Sequence, residues 1–176
     1  LCGQGDYKGH LSNWGETVYL GDRSGRAVDT LTYVGTPSDQ QKALRITEIL
    51  YHPGGDNPGG EYLEIFNRGA SPVDLGGWHL EAAIEFRFPE GLTLDSQSYL
   101  VVYEDAAAVG HYGIPASRSV GPYVGQLSNG GDPIVLRDEA GNLVDEVIYD
   151  DQAPWPPEAD GAGPSLELID PGMDNS

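Results

Sequence analysis

The sequence predicts an all-β chain, a β-sandwich with a β-hairpin appended at its N-terminal end. Three observations carry that prediction. Short apolar runs of alternating pattern recur roughly every 8 to 12 residues, with turn residues between them. The 176 residues include 25 Gly, 13 Pro and 10 Tyr, a composition of many short strands joined by turns, and no long stretch carries a helical period. Residues 9 to 33 recur without gaps at 125 to 149, identical at eleven of twenty-five positions. Self-similarity at a fixed offset marks a repeated unit, and an offset of 116 residues makes that unit a whole domain rather than one turn of a solenoid. The chain divides accordingly into residues 1–35, the C-terminal remnant of a preceding repeat, a linker over 36–43, and a second unit over 44–176 for which an immunoglobulin-like sandwich is the expected form.

The repeated segment is itself a hairpin. In the second copy Ile134 and Leu136 alternate with Val135 and Arg137, and a further apolar run spans Leu143 to Tyr149. Asp138, Glu139, Ala140 and Gly141 join the two runs. Asp at the first turn position and Gly at the last fit a type I turn closed by a left-handed residue, and Asp22 to Gly25 repeats the device. Both aspartates are thereby explained as turn residues that accept a nearby backbone N–H. Thr36 to Ala43 is polar and proline-marked, as a linker would be. Strands follow at Leu44–Tyr51, Glu61–Asn67, Val73–Leu75, Trp78–Leu80, Ile84–Phe88, Leu92–Leu94 and Tyr99–Tyr103, separated by Pro, Gly or Asp. Glu104 to Tyr112, with three alanines, is the one helical turn expected.

The series LRITEILYHP, EYLEIFNRGASPVDLGGWHL, FPEGLTLDSQSYLVV, LSNGGDPIVLRDEAGNLVDEVIY and WPPEADGAGPSLELID resembles the lamin tail domain in the form found in bacterial surface and secreted proteins. The resemblance spans Leu44 to Pro171, and its ordered series of motifs is far more specific than any one of them. The first unit keeps only LSNWGETVYLGDRSGRAVDTLTY and departs from the pattern after Tyr33. The resemblance implies an immunoglobulin-like sandwich with a binding or architectural role and no catalytic residues to transfer.

Charge narrows the function classes. A net charge of -19 and a pI near 4.2 argue against nucleic acid or an anionic membrane as partner, and no apolar run approaches the length of a membrane span. Cys2 is the single cysteine, so no intrachain disulfide forms. The chain opens on Leu rather than Met, which fits a piece of something longer. There is no Gly-x-Ser-x-Gly elbow, phosphate-cradling loop or Cys/His metal set, and the reading is non-catalytic, with no cofactor.

Candidate binding residues fall into three groups. Glu48 shares the period-2 face of Leu44, Ile46 and Leu50, and Glu64 that of Tyr62 and Phe66, so at least one carboxylate is expected toward an apolar layer, held by backbone N–H groups or by Arg45 or Arg87. Asp56, Asn57 and Glu61 lie in a glycine-rich loop and offer three oxygen ligands, which makes calcium the candidate cation; the spacing is not that of an EF-hand, and a glycine-rich turn explains the composition by itself. Among the aromatics, Trp78 is expected in the core, while Trp14 and Trp155 are the candidate contact residues. Trp14 faces a glycine, Gly130, in the other copy, so the fold itself does not require an indole there.

These features predict a structural or binding module of a larger extracellular or cell-surface protein, contacting protein partners or its own copies through strand edges. The alternative is a carbohydrate-binding or calcium-stabilised accessory module of a secreted enzyme, which aromatic residues aligned on one exposed face would favour. The hairpin of residues 16 to 34 is too small to be stable alone, so its apolar face is expected to dock on the second unit or pair with another molecule.

Overall fold

The computed structural model describes residues 14–55 and 60–172, which fall into two compact units divided between Ser38 and Asp39. The first unit is the hairpin β1 (Gly15–Gly21) and β2 (Ala27–Val34), paired antiparallel with a register shift at Leu20/Gly21. The turn is the one its sequence demands. Gly25 sits at φ +82°, Gly25 N–H donates to Asp22 O at 3.0 Å, and Asp22 Oδ1 accepts the Ser24 N–H at 2.8 Å.

The second unit begins earlier than expected. Residues 39–43, read above as linker, form a short helix α1 (Asp39–Ala43) with Gln41 and Ala43 buried. Ala43 joins the core and Gln41 Nε2 donates to Asp138 Oδ2 at 2.7 Å, long-range contacts that local composition does not reveal. The strands that follow are β3 (Leu44–Leu50), β4 (Tyr62–Asn67), β5 (Val73–Asp74), β6 (His79–Ala82), β7 (Ile84–Arg87), β8 (Thr93–Leu94) and β9 (Tyr99–Tyr103). A helix α2 (Ala106–His111) fills the expected helical stretch, and β10 (Ser119–Val120), β11 (Val124–Gly125), β12 (Asp132–Arg137), β13 (Leu143–Tyr149) and β14 (Leu166–Glu167) complete the unit.

Two five-stranded sheets face each other, ordered β10-β9-β4-β3-β14 and β11-β7-β6-β12-β13, and β5 pairs with β8 apart from them. All pairs are antiparallel except β9 with β10. Leu44, Leu63, Ile65, Leu80, Ile134 and Leu136, none more than 2 % exposed, lie in the core between the sheets, and Trp78 is buried with them as expected. This is the immunoglobulin-like sandwich.

A bulge decides which face of β3 is which. The register with β4 shifts between Ile46 and Glu48, so Leu44 and Ile46 before it and Ile49 and Tyr51 after it all reach the core. A bulge inserts one residue and inverts the alternation beyond it. Glu48 is thereby turned outward, with Leu50, Tyr62 and Val101 forming a small apolar cluster there.

The repeated glycines have a shared cause. Gly131 has φ +101°, and a Cβ on it would stand 2.5 Å from Tyr149 O; Gly15 has φ +91°, and a Cβ there would stand 2.7 Å from Tyr33 O. In both hairpins only glycine lets the first strand approach the end of the second this closely.

Candidate functional site

The edge of the sandwich carries an apolar groove of about 380 Å3. Ile46 and Ile49 of β3, Val147 of β13, Leu166 of β14 and Leu168 line it, and Trp155, flanked by Pro154 and Pro156, forms one wall. Trp155 is half-buried and packs on the core, held by its N–H to Gln152 O at 3.0 Å. It is both anchor and wall. The groove lies where each sheet ends. β13 is the last strand of its sheet and β14 the last of the other, and β14 is only two residues long, pairing with β3 at Glu48 and Ile49. Ile169 beside it is 96 % exposed.

Deep in this edge, Asp145 ties the sheets together. Its Oδ2 accepts the Ile46 N–H at 2.7 Å, and its Oδ1 lies 3.7 Å from Arg45 Nη1, with both side chains less than a tenth exposed. Arg45 Nη1 also donates to Leu44 O at 2.8 Å. The expected partner of Arg45 was Glu48 or Glu64; the bulge turns Glu48 outward, Glu64 faces outward because Leu63 and Ile65 take the core side of β4, and Arg45 is left to the aspartate of the opposite sheet.

A second cleft, of about 410 Å3, opens on the outer face of β3, β4 and β9, between that sheet and the segment 112–118. Glu48, Glu64, Tyr62, Tyr99, Tyr112 and Arg118 supply its functional groups. Tyr99 stacks on Phe66 with centroids 4.4 Å apart, and Tyr62 meets Tyr112 edge-on at 5.6 Å. Tyr99 is 40 % and Tyr112 37 % exposed. Neither glutamate points into the core as expected, and their partners are hydroxyls rather than backbone N–H groups or arginines. Glu48 Oε1 accepts Tyr62 O–H at 2.6 Å and the Ser165 hydroxyl; Glu64 Oε1 accepts Thr47 O–H at 2.8 Å. Glu48 stands opposite Glu64 on one side and Glu167 on the other. Burial raises the Glu64 pKa, the Thr47 hydrogen bond offsets part of the rise, and the fields of Glu48 and Glu167 add to it. Burial likewise pushes the Tyr62 hydroxyl far up.

Glu61 is 6 % exposed and engaged inside the sandwich. Its Oε2 accepts Leu127 N–H at 2.9 Å and Tyr123 O–H at 3.1 Å, pinning the turn before β12 to the start of β4. Burial raises its pKa above the ordinary 4.5, the two hydrogen bonds oppose the rise, and Glu104 adds to it. A cation at Glu61 would have to replace those donors. Asp56 and Asn57, the other two expected ligands, lie outside the described residues. Among the described residues no three His, Cys, Asp or Glu side chains converge as a metal set.

Trp14 belongs to the first unit and is 37 % exposed. Asp150 is a turn residue that accepts the Gln152 N–H at 2.9 Å. Sequence reading missed the outer cleft and the hydrogen bond of 2.6 Å between His52 Nδ1 and Asp160 Oδ1. Residues 108 positions apart carry no shared local signal, and the row of tyrosines becomes visible only once strand neighbours are known.

Two facing sheets, a core closed by buried side chains, an edge groove and an outer cleft are the features of an immunoglobulin-like binding or structural module. The family model of the lamin tail domain matches residues 37–151, and the chain belongs to that family. The match opens at the start of the second unit, including α1, and stops before the Trp155 segment. No curated protein matches the chain.

Proposed function

We propose that the chain is a non-catalytic module of a larger extracellular or cell-surface protein, and that its second unit holds an extended segment of a protein partner at the sheet edge. The observation that supports this is the apolar groove walled by Trp155, set where β13 and the two-residue β14 leave strand edges within reach. An extended segment that adds to an edge gains main-chain hydrogen bonds, and alternate side chains fill the apolar pocket. The net charge of -19 favours partners with basic flanks.

Selection of phage-displayed peptides on the full chain tests the reading, with Trp155→Ala as the comparison. Enrichment of extended apolar peptides on the parent and not on Trp155→Ala supports it; equal enrichment on both refutes it.

The outer cleft favours a second reading, carbohydrate binding. Exposed Tyr99 and Tyr112 offer ring faces for sugar stacking, and Glu64 and Arg118 offer hydrogen bonds. A glycan array read with the parent and with Tyr112→Ala separates the two. Binding lost in Tyr112→Ala and kept in Trp155→Ala would assign the cleft to a sugar.

A further inference from the structure

The two hairpins present the same face to opposite surroundings. In the second unit Ile134, Leu136, Val144 and Val147 are at most 4 % exposed. Their counterparts in the first unit, Val18, Leu20, Val28 and Leu31, are 40 to 67 % exposed. The reverse face of the first hairpin carries Thr17, bonded across to Thr32 at 2.7 Å, and Thr30, with Tyr19 and Val34 exposed beside them. Strand alternation of this kind specifies one buried and one solvated side.

The central pair keeps its size while changing its order. Ile134 stands opposite Val147, and Val18 stands opposite Leu31. One methylene has moved from one strand to its neighbour, and the carbon count of the pair is unchanged, the kind of exchange a packed pocket tolerates best. The polar latch is kept as well. Asp29 occupies the position of Asp145, which in the second unit accepts the Ile46 N–H and pairs with Arg45; Asp29 accepts the adjacent Thr30 N–H at 2.8 Å. A hairpin meant for water needs neither the conserved apolar volume nor the inward carboxylate.

We propose that β1 and β2 are the closing hairpin of a second lamin-tail sandwich, and that their apolar face docks on a core N-terminal to them in the same polypeptide. The order is that of the second unit, where β3 to β11 precede the closing hairpin. The core presents a β3-like edge, an apolar–arginine–apolar run such as Leu44, Arg45 and Ile46, to receive Asp29. This surface belongs to the first unit and does not depend on the Trp155 groove.

The test is a graft in the full chain, residues 132–149 replaced by residues 16–33. The grafted chain is expected to keep one cooperative thermal transition of the second unit, with Tm lowered by no more than about 10 °C. Asp29→Asn within the graft should lower Tm further, by the same shift that Asp145→Asn causes in the parent. A graft without a cooperative transition, or one indifferent to Asp29→Asn, overturns the proposal. Because the graft also alters outward residues, Ile134→Val with Val147→Leu in the parent transfers the inward pair alone; the double variant should lose less Tm than the two single shifts added together, and a loss equal to their sum overturns the volume argument. By sedimentation the full chain is expected to be a monomer. A dimer abolished by Leu20→Asp with Leu31→Asp would give the face to a second copy and overturn the proposal.

Discussion

Asp145→Ala tests the link between the two sheets. The variant removes the acceptor of the Ile46 N–H and the carboxylate 3.7 Å from Arg45, while Arg45 stays 7 % exposed in the sandwich edge. Breaking one side of a buried ion pair costs about 3–5 kcal/mol, because the remaining charge is left without compensation. For a unit of this size each kcal/mol moves Tm by about 2–4 °C, so a fall of about 6–20 °C is expected. Urea unfolding at neutral pH should show the midpoint lowered with the slope unchanged. Arg45→Met combined with Asp145→Ala removes both charges and should recover at least about 1 kcal/mol of the loss. The counterpart Asp29→Ala, on an exposed strand, should stay within about 0.5 kcal/mol. A cost for Asp145→Ala below about 1 kcal/mol, or additive behaviour of the double variant, would refute the reasoning.

Three further outcomes follow from the same geometry. Burial raises the Glu61 pKa above 4.5, so the folded state holds this proton more tightly than the unfolded chain. Its contribution is complete below 4.5 and is lost as pH rises through the folded value. Glu61→Gln keeps acceptors for Leu127 and Tyr123 without the charge; it should match or exceed the parent in stability at pH 7 and flatten that acid-side dependence, and urea titrations at both ends of the window would show otherwise if stability falls throughout. Gly131→Ala should cost about 1–3 kcal/mol, read as a lowered urea midpoint, because its φ of +101° and the 2.5 Å approach to Tyr149 O both exclude a Cβ. Calcium at about 10 mM, above the dissociation constants of about 10⁻⁴–10⁻³ M usual for extracellular modules, should raise Tm by several degrees if Asp56 and Asn57 form a site; an unchanged melt removes the calcium reading.

Much of the fold is legible in the sequence because its signals are local. The turn aspartates and glycines of both hairpins, the seven strands from Leu44 to Tyr103 and the buried Trp78 each follow from neighbours a few residues away. The functional surfaces are less legible. Trp155 among prolines was a visible candidate, but the groove it walls needs β3, β13 and β14 side by side. Period-2 counting fails for Glu48 at the bulge, where one added residue reverses every side chain beyond it; for Glu64 the counting holds, and only the packing of Leu63 and Ile65 shows that the face it shares with Tyr62 and Phe66 is the outer one. Helix α1 escaped because five residues carry too little periodicity; long-range contacts through Gln41 and Ala43 hold it.

The sequence by itself determined the two hairpins, their turns and the family, because turn chemistry and strand alternation act over a few residues and the repeat copies them intact. Only the tertiary structure decided what each copy meets. Asp29 and Asp145 are the same residue in the same local pattern, yet one is solvated and the other joins two sheets, since burial depends on which strands arrive from elsewhere in the chain.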